Sequence, residues 1–237
     1  MAEQTKVTTL EKVVIRFSGD SGDGMQLTGT IFSNLSAIFG NEISTFPDYP
    51  AEIRAPQGTL GGVSGFQVHI GKGVHTPGDL ADVLVAMNPA ALKTNACYVK
   101  KGGVVIIDSD SFRASDLEKA AFTTDDPIQE AGLSHAQIVP VAITQMVKDS
   151  LADSGLDNKS IVRCKNMFAL GLVCWLFDRP LEQAQHLLKN KFAKKPAIYE
   201  ANAKVMRDGY NYGNNIHASV STYRVESAQV KPGIIPM

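Results

Sequence analysis

Cysteine is scarce in this chain of 237 residues: Cys97, Cys164 and Cys174 are an odd set of three with no CxxC spacing. That excludes a disulfide framework, a structural zinc site and an iron–sulfur cluster held by this chain, and it reads the three as ordinary cytosolic thiols. A surplus of charge is missing too. Lys and Arg number 23 against 24 Asp and Glu, for a formal net charge of −1, so the chain has no means of neutralising a phosphate backbone or docking to an anionic bilayer, and neither nucleic acid nor membrane is expected as a partner. No window of about 18 apolar residues occurs, and Met1 to Thr9 has no apolar stretch of the signal-peptide kind, so the expected compartment is the cytoplasm. The histidines, His69, His75, His135, His186 and His217, show no HxH or HExxH spacing, so their spacing draws no metal site.

What is present is enough apolar residue, 44% against 20% charged, to bury the core of one large domain. Val13 to Phe17 reads as a strand running into Ser18-Gly19-Asp20-Ser21-Gly22-Asp23-Gly24. Met25, Leu27, Ile31, Phe32, Leu35 and Ile38 then recur at helical spacing as far as Gly40. Glu42 to Phe46 reads as a second strand, Pro47 to Gly62 as an extended, turn-rich segment, and Phe66, Val68 and Ile70 as a half-exposed third strand that leaves His69 facing outward.

The all-apolar run Val83 to Met87 suits a strand buried on both faces, followed by Asn88 as N-cap and Pro89 opening a helix to about Val99, which Lys101-Gly102-Gly103 ends. Val104 to Ile107 and Gln137 to Val141 complete the strands. Helices are expected over Lys159 to Phe177, Pro180 to Phe192 and Pro196 to about Tyr210. The sum is a three-layer α/β fold, Rossmann-like, on a largely parallel or mixed sheet, with a helical C-terminal half. Residues 1–215 form the domain and residues 216–237 an extended linker or tail.

The glycine loop has two readings. Backbone N–H groups at the positive end of a helix would hold a phosphate, or Asp20, Ser21 or Asp23 would cap the helix while the glycines allow a tight turn. The spacing Gly19-x-x-Gly22-x-Gly24 is not GxGxxG, and Ser44, Thr45 and Phe46 leave no acid at the end of the second strand to take a ribose. Asp20 and Asp23 would also repel a diphosphate. Gly22-Asp23-Gly24 matches the opening of the thiamine diphosphate motif, but Tyr49 to Arg54 contain no Asn to complete it.

Three stretches, Gly19-Asp20-Ser21-Gly22-Asp23-Gly24-Met25-Gln26-Leu27-Thr28-Gly29, Pro47 to Gly58 and Val85-Ala86-Met87-Asn88-Pro89-Ala90-Ala91-Leu92, together resemble the γ-type domain of 2-oxoacid:ferredoxin oxidoreductases. Lys165 to Gly171 and Pro180-Leu181-Glu182 extend the resemblance into the helical half. The Asp-rich loop is similar to that of large subunits in which γ and α segments are fused, which points to 2-oxoglutarate. Tyr223-Arg224-Val225 would lead toward the α-type domain, and the chain ends at Met237 where that domain would begin. The resemblance implies a subunit or domain, inactive alone, of an enzyme that makes acyl-CoA, CO2 and reduced ferredoxin. Thiamine diphosphate, Mg²⁺ and the iron–sulfur cluster would sit in α- and β-type partners, with coenzyme A as co-substrate and ferredoxin reached through the complex.

No catalytic residue is expected in this chain. Gly19, Ser21, Gly22, Gly24, Arg54 and Asn88 are the candidates for contact with coenzyme A or an interface, each beside a plainer role. Arg54 could pair with Glu52, and Asn88 could serve only as a cap. Asn166, read as mid-helix, needs a buried partner.

Overall fold

The computed structural model describes residues 7–52, 55–73, 75–216 and 222–225. A six-stranded mixed sheet is built from β2 (Lys12–Asp20), β3 (Ile43–Asp48), β4 (Val63–Gly71), β5 (Ala81–Ala86), β6 (Val99–Asp108) and β7 (Gln137–Val141), in the order β3-β4-β2-β5-β6-β7. Pairings from β2 through β7 are parallel, and β4 runs antiparallel to both its neighbours. A small parallel pair joins β1 (Val7–Leu10) to β8 (Thr222–Val225), a strand within the stretch expected to be a tail. Its Tyr223 ring lies 5.7 Å from that of Phe177.

One face of the sheet carries α1 (Met25–Ile38), α5 (Ile143–Ser150), α7 (Lys165–Leu176), α8 (Leu181–Lys191) and α9 (Pro196–Ile216). Their side chains merge with Ile15, Phe17, Val68, Val83, Val85 and Ile106 into one apolar core. Every residue of α7 is buried, as suits a helix apolar all round and wedged between sheet and α9. Gly171 and Gly209 permit that contact, because a Cβ on either would run into the facing helix's backbone. The other face carries α2 (Pro89–Asn95), α3 (Ala114–Lys119) and α4 (Pro127–Glu130) over Leu84, Ala86, Val105 and Ile107. α6 (Asn158–Arg163) precedes α7.

Several local expectations change. β4 is interior, not half-exposed, since it pairs on both sides and Gln67 and His69 are buried with Phe66, Val68 and Ile70. β3 runs through Pro47 to Asp48 because it is the edge strand, where a missing N–H costs no ladder bond. Lys101-Gly102-Gly103 ends no helix. It lies inside β6, where Gly102 takes φ 78° near a register shift against β5, while α2 passes through a 3₁₀ turn at Ala96–Tyr98. The helix expected from Lys159 is two, divided at Cys164.

Candidate functional site

The sequence dictates where a site forms. β2 hands over to α1 on one face and β5 to α2 on the other, so their carboxyl ends splay and open a crevice, the place where open α/β sheets take ligands. A cavity of about 180 Å³ lies there, lined by Asp20, Gln57, Gly58, Asn88, Pro89, Ser111, Arg113, Asp116, Lys119 and Lys165.

Asn88 Oδ1 accepts from Ala91 N at 2.8 Å, capping α2 as expected, and Asn88 lines the cavity together with Asp20. Both Asp20 oxygens lie 3.1 Å from Gly58 N. Burial, and then the neighbouring Asp23, push the Asp20 carboxyl above its ordinary range. Asp23 turns inward to accept from Asp20 N at 3.1 Å and to meet the Lys165 ammonium at 3.4 Å. Lys165 thus offsets the charge of Asp23, one of the two aspartates expected to repel a diphosphate.

The glycine loop works as a packed turn. None of Asp20, Ser21 or Asp23 caps α1; the N-cap is Gly24, at φ 74°, with no side-chain bond. A Cβ there would strike the Asn166 amide, which instead donates to Gly24 O at 3.3 Å. Asn166 is the second residue of α7, not mid-helix, and its buried Oδ1 lacks a partner among the described residues. Gly19 packs against Asp23 and Met87. Ser21 N and Asp23 N are spent on Gly62 O and Asp20 O, and Ser21 and Gly22 are exposed. Of the expected contact residues, only Asn88 lines the cavity, and Arg54 lies outside the described residues.

Sequence reasoning missed Lys165, Arg113 and Lys119. Lys165 carried one signal: a cation opening an apolar helix stands against the helix dipole and calls for an acidic partner. Arg113 and Lys119 carried none, because only tertiary folding brings them to the crevice. An acid does stand at the end of β3, Asp48, but it is bound 3.1 Å from Arg16 and is separated from β2 by β4, so it is placed as no ribose ligand. Cys164 and Cys174 are buried, which raises their thiols to about 11 and about 12 and leaves them unreactive. No helix among the described residues is long and apolar enough to cross a membrane.

A family model described as pyruvate ferredoxin/flavodoxin oxidoreductase matches residues 14–212. The 2-oxoglutarate oxidoreductase subunit KorA of Mycobacterium tuberculosis is 48% identical over 225 residues, covering 94% of this chain and 34% of the relative. Among solved structures, the 2-oxoglutarate:ferredoxin oxidoreductase of Magnetococcus marinus, described with 2-oxoglutarate, coenzyme A and succinyl-CoA bound, superposes with a TM-score of 0.69 at 23% identity. It is matched over 93% of this chain and 34% of its own. The γ subunit of a keto/oxoacid ferredoxin oxidoreductase from Geobacter sulfurreducens gives 0.59 at 23% identity, over 86% of this chain and 99% of its own. The chain therefore spans about a third of the length of KorA and of the Magnetococcus protein, and the two superpositions bear on the fold.

Proposed function

Since the chain belongs to the pyruvate ferredoxin/flavodoxin oxidoreductase family, we propose that it is the γ-type component of a 2-oxoacid:ferredoxin oxidoreductase, acting on 2-oxoglutarate in the cytoplasm. In this reading α- and β-type partners decarboxylate the oxoacid, electrons leave to ferredoxin, and the acyl group passes to coenzyme A. Asp23 does not fit the Mg²⁺ of thiamine diphosphate, because its carboxylate is committed to Lys165 and the Asp20 N–H. Thiamine diphosphate, Mg²⁺ and the iron–sulfur cluster are accordingly assigned to the partners.

This domain's share is assembly and a hold on coenzyme A. The observation that carries this reading is the crevice at the β2/β5 switch point, where the cations Lys165, Arg113 and Lys119 share one cavity with Asn88 and outnumber the acids Asp20 and Asp116. An excess of cations beside a side-chain amide suits the phosphates of coenzyme A. Arg54, in the adjoining Pro50 to Gly58 stretch of the sequence, is assigned to the same ligand or to the α-type interface.

The test is to co-purify the chain with its native partners and follow 2-oxoglutarate- and coenzyme A-dependent viologen reduction. Lys165→Met raises the KM for coenzyme A about tenfold or more and leaves the KM for 2-oxoglutarate unchanged, and Arg54→Ala acts in the same direction more weakly. An unchanged KM for coenzyme A in both variants reduces the role to assembly. Failure of the chain to bind any thiamine-dependent partner removes the assignment.

A further inference from the structure

On the second face of the sheet, beyond the reach of α2, the strands carry a polar cluster that the crevice does not use. His69 on β4 is fully buried. The connection from β4 to β5 folds back over it and brings His75 and Asp79 alongside. One donor atom from each of the three lies within 4.8 Å of the others. His69 Nδ1 is 3.5 Å and His75 Nδ1 4.0 Å from Asp79 Oδ2, and the two imidazole centroids are 4.7 Å apart.

We propose that His69, His75 and Asp79 form a binding site for a divalent transition metal of the zinc type, with three protein ligands and a water in the fourth position. Donors bound to one zinc at about 2.0–2.2 Å in tetrahedral array stand roughly 3.3–3.6 Å apart, so modest side-chain rotations close the site. The ligand set, two imidazoles and a carboxylate, is the borderline kind that selects zinc and its neighbours over Mg²⁺ or Ca²⁺.

Two further observations point the same way. His69 Nδ1 is buried and has no hydrogen-bond partner among the described residues although it faces the other two donors, an arrangement that is costly unless something fills it. Each ligand is also held from behind, as metal ligands are. His75 Nε2 lies 3.0 Å from Gly71 O, so it carries the proton and leaves the Nδ1 lone pair facing the Asp79 carboxylate. Two electron-rich atoms facing each other call for a cation between them. Asp79 accepts from Thr76 N at 3.0 Å and Thr76 Oγ1 at 2.9 Å. His69 Nε2 sits 2.6 Å from the Gln67 side-chain amide. With Nδ1 on the metal the His69 proton moves to Nε2, and the Gln67 amide, which Arg16 holds through Oε1 at 2.5 Å, must turn its oxygen to His69. Metal binding therefore exchanges the Arg16–Gln67 bond for a His69–Gln67 one, and Arg16 shifts off the amide onto Asp48 and Pro77 O.

Such a metal would staple the β4–β5 connection to β4. That connection supplies Pro77 and Gly78 to the wall of a second cavity, of about 340 Å³, which Arg16, Gln67 and Tyr98 also line, so metal occupancy would hold this wall in place.

The experiment strips the purified chain of metal and titrates it with Zn²⁺ by calorimetry, then with Co²⁺, whose visible absorption reports tetrahedral nitrogen and oxygen ligation. We expect one equivalent bound, a rise in Tm, and at least a tenfold loss of affinity in His75→Gln and in Asp79→Asn. Both residues lie on the connection and not in a strand, so these variants keep the fold. The proposal is overturned by absence of saturable binding, by binding that survives in the His75→Gln/Asp79→Asn double variant, or by a Co²⁺ spectrum with thiolate character.

Discussion

The two faces of the sheet bury side chains of opposite kinds. Against α1 and α7–α9 the strands present Val13, Ile15, Phe17, Val68 and Ile70, packed into one continuous apolar core. On the other side β2 and β4 present Arg16, Ser18, Gln67 and His69, all buried. Arg16 donates to Gln67 Oε1 at 2.5 Å, pairs with Asp48 at 3.1 Å and stacks 4.5 Å from the Tyr98 ring centroid. The apolar face is held by non-directional burial, which tolerates substitutions that conserve volume. The polar face is held by partners that must each be present, because an unpaired buried group bears its full desolvation cost. Stability lives on the first face and specificity of arrangement on the second.

The sharpest way to break this comparison is to force the helices of the apolar face apart. Gly171→Val puts a branched side chain onto the Met206 backbone of α9 and should cost more than about 3 kcal/mol, or prevent folding. Gly102→Ala, where a Cβ meets nothing within 4 Å but φ is 78°, should cost only about 1 kcal/mol. Thermal melts followed by circular dichroism compare the two, and equal losses would contradict the close-packing account.

Next in size is the polar face. Arg16→Met strands Gln67 Oε1 and should cost about 2–4 kcal/mol in chemical denaturation. Adding Gln67→Leu should recover part of that loss, because the orphaned acceptor leaves with it, the remainder being the cost of leaving His69 Nε2 without the Gln67 amide. Strict additivity of the two substitutions would show that no coupled network exists.

The crevice supplies a smaller, pH-dependent effect. The Asp20 carboxyl titrates above its unfolded value, chiefly through burial and then Asp23. The folded state therefore binds its proton more tightly than the unfolded state, and stability falls as pH rises from the unfolded value through the folded one. Asp20→Asn, which retains an acceptor for Gly58 N, should be slightly more stable than the parent at neutral pH, with the advantage fading in acid. A difference in Tm that grows on acidification would reverse the sign of this argument. The smallest effect belongs to the surface pair of Lys93 and Glu130 at 3.1 Å, with Lys93 also 4.5 Å from the Phe122 ring centroid. Lys93→Met should cost less than about 1 kcal/mol.

Much of this was legible in the sequence and some was not, for reasons that differ by residue. The strand at Val83–Met87 and the Asn88-Pro89 helix start could be read because apolar runs and caps act within a few residues. His69 was misplaced outward because period-two alternation records which residues are apolar, and cannot say that the polar alternates are covered by another part of the chain. The break at Cys164 was missed because no Gly or Pro marks it. Lys165 was missed as a site residue because its partner Asp23 lies far away along the chain.

The sequence by itself determined the alternation of strands and helices, the glycine-rich turn, the cap at Asn88 and the family resemblance, because each rests on local pattern or on short motifs. Only the tertiary structure decided that β4 inserts between β2 and β3, and so buries Gln67 and His69. It likewise decided that Asp20, Asn88, Arg113, Lys119 and Lys165 share one crevice, and that His69, His75 and Asp79 converge. Strand order and the meeting of distant charges depend on which surfaces bury one another, a property of the packed chain that no local spacing records.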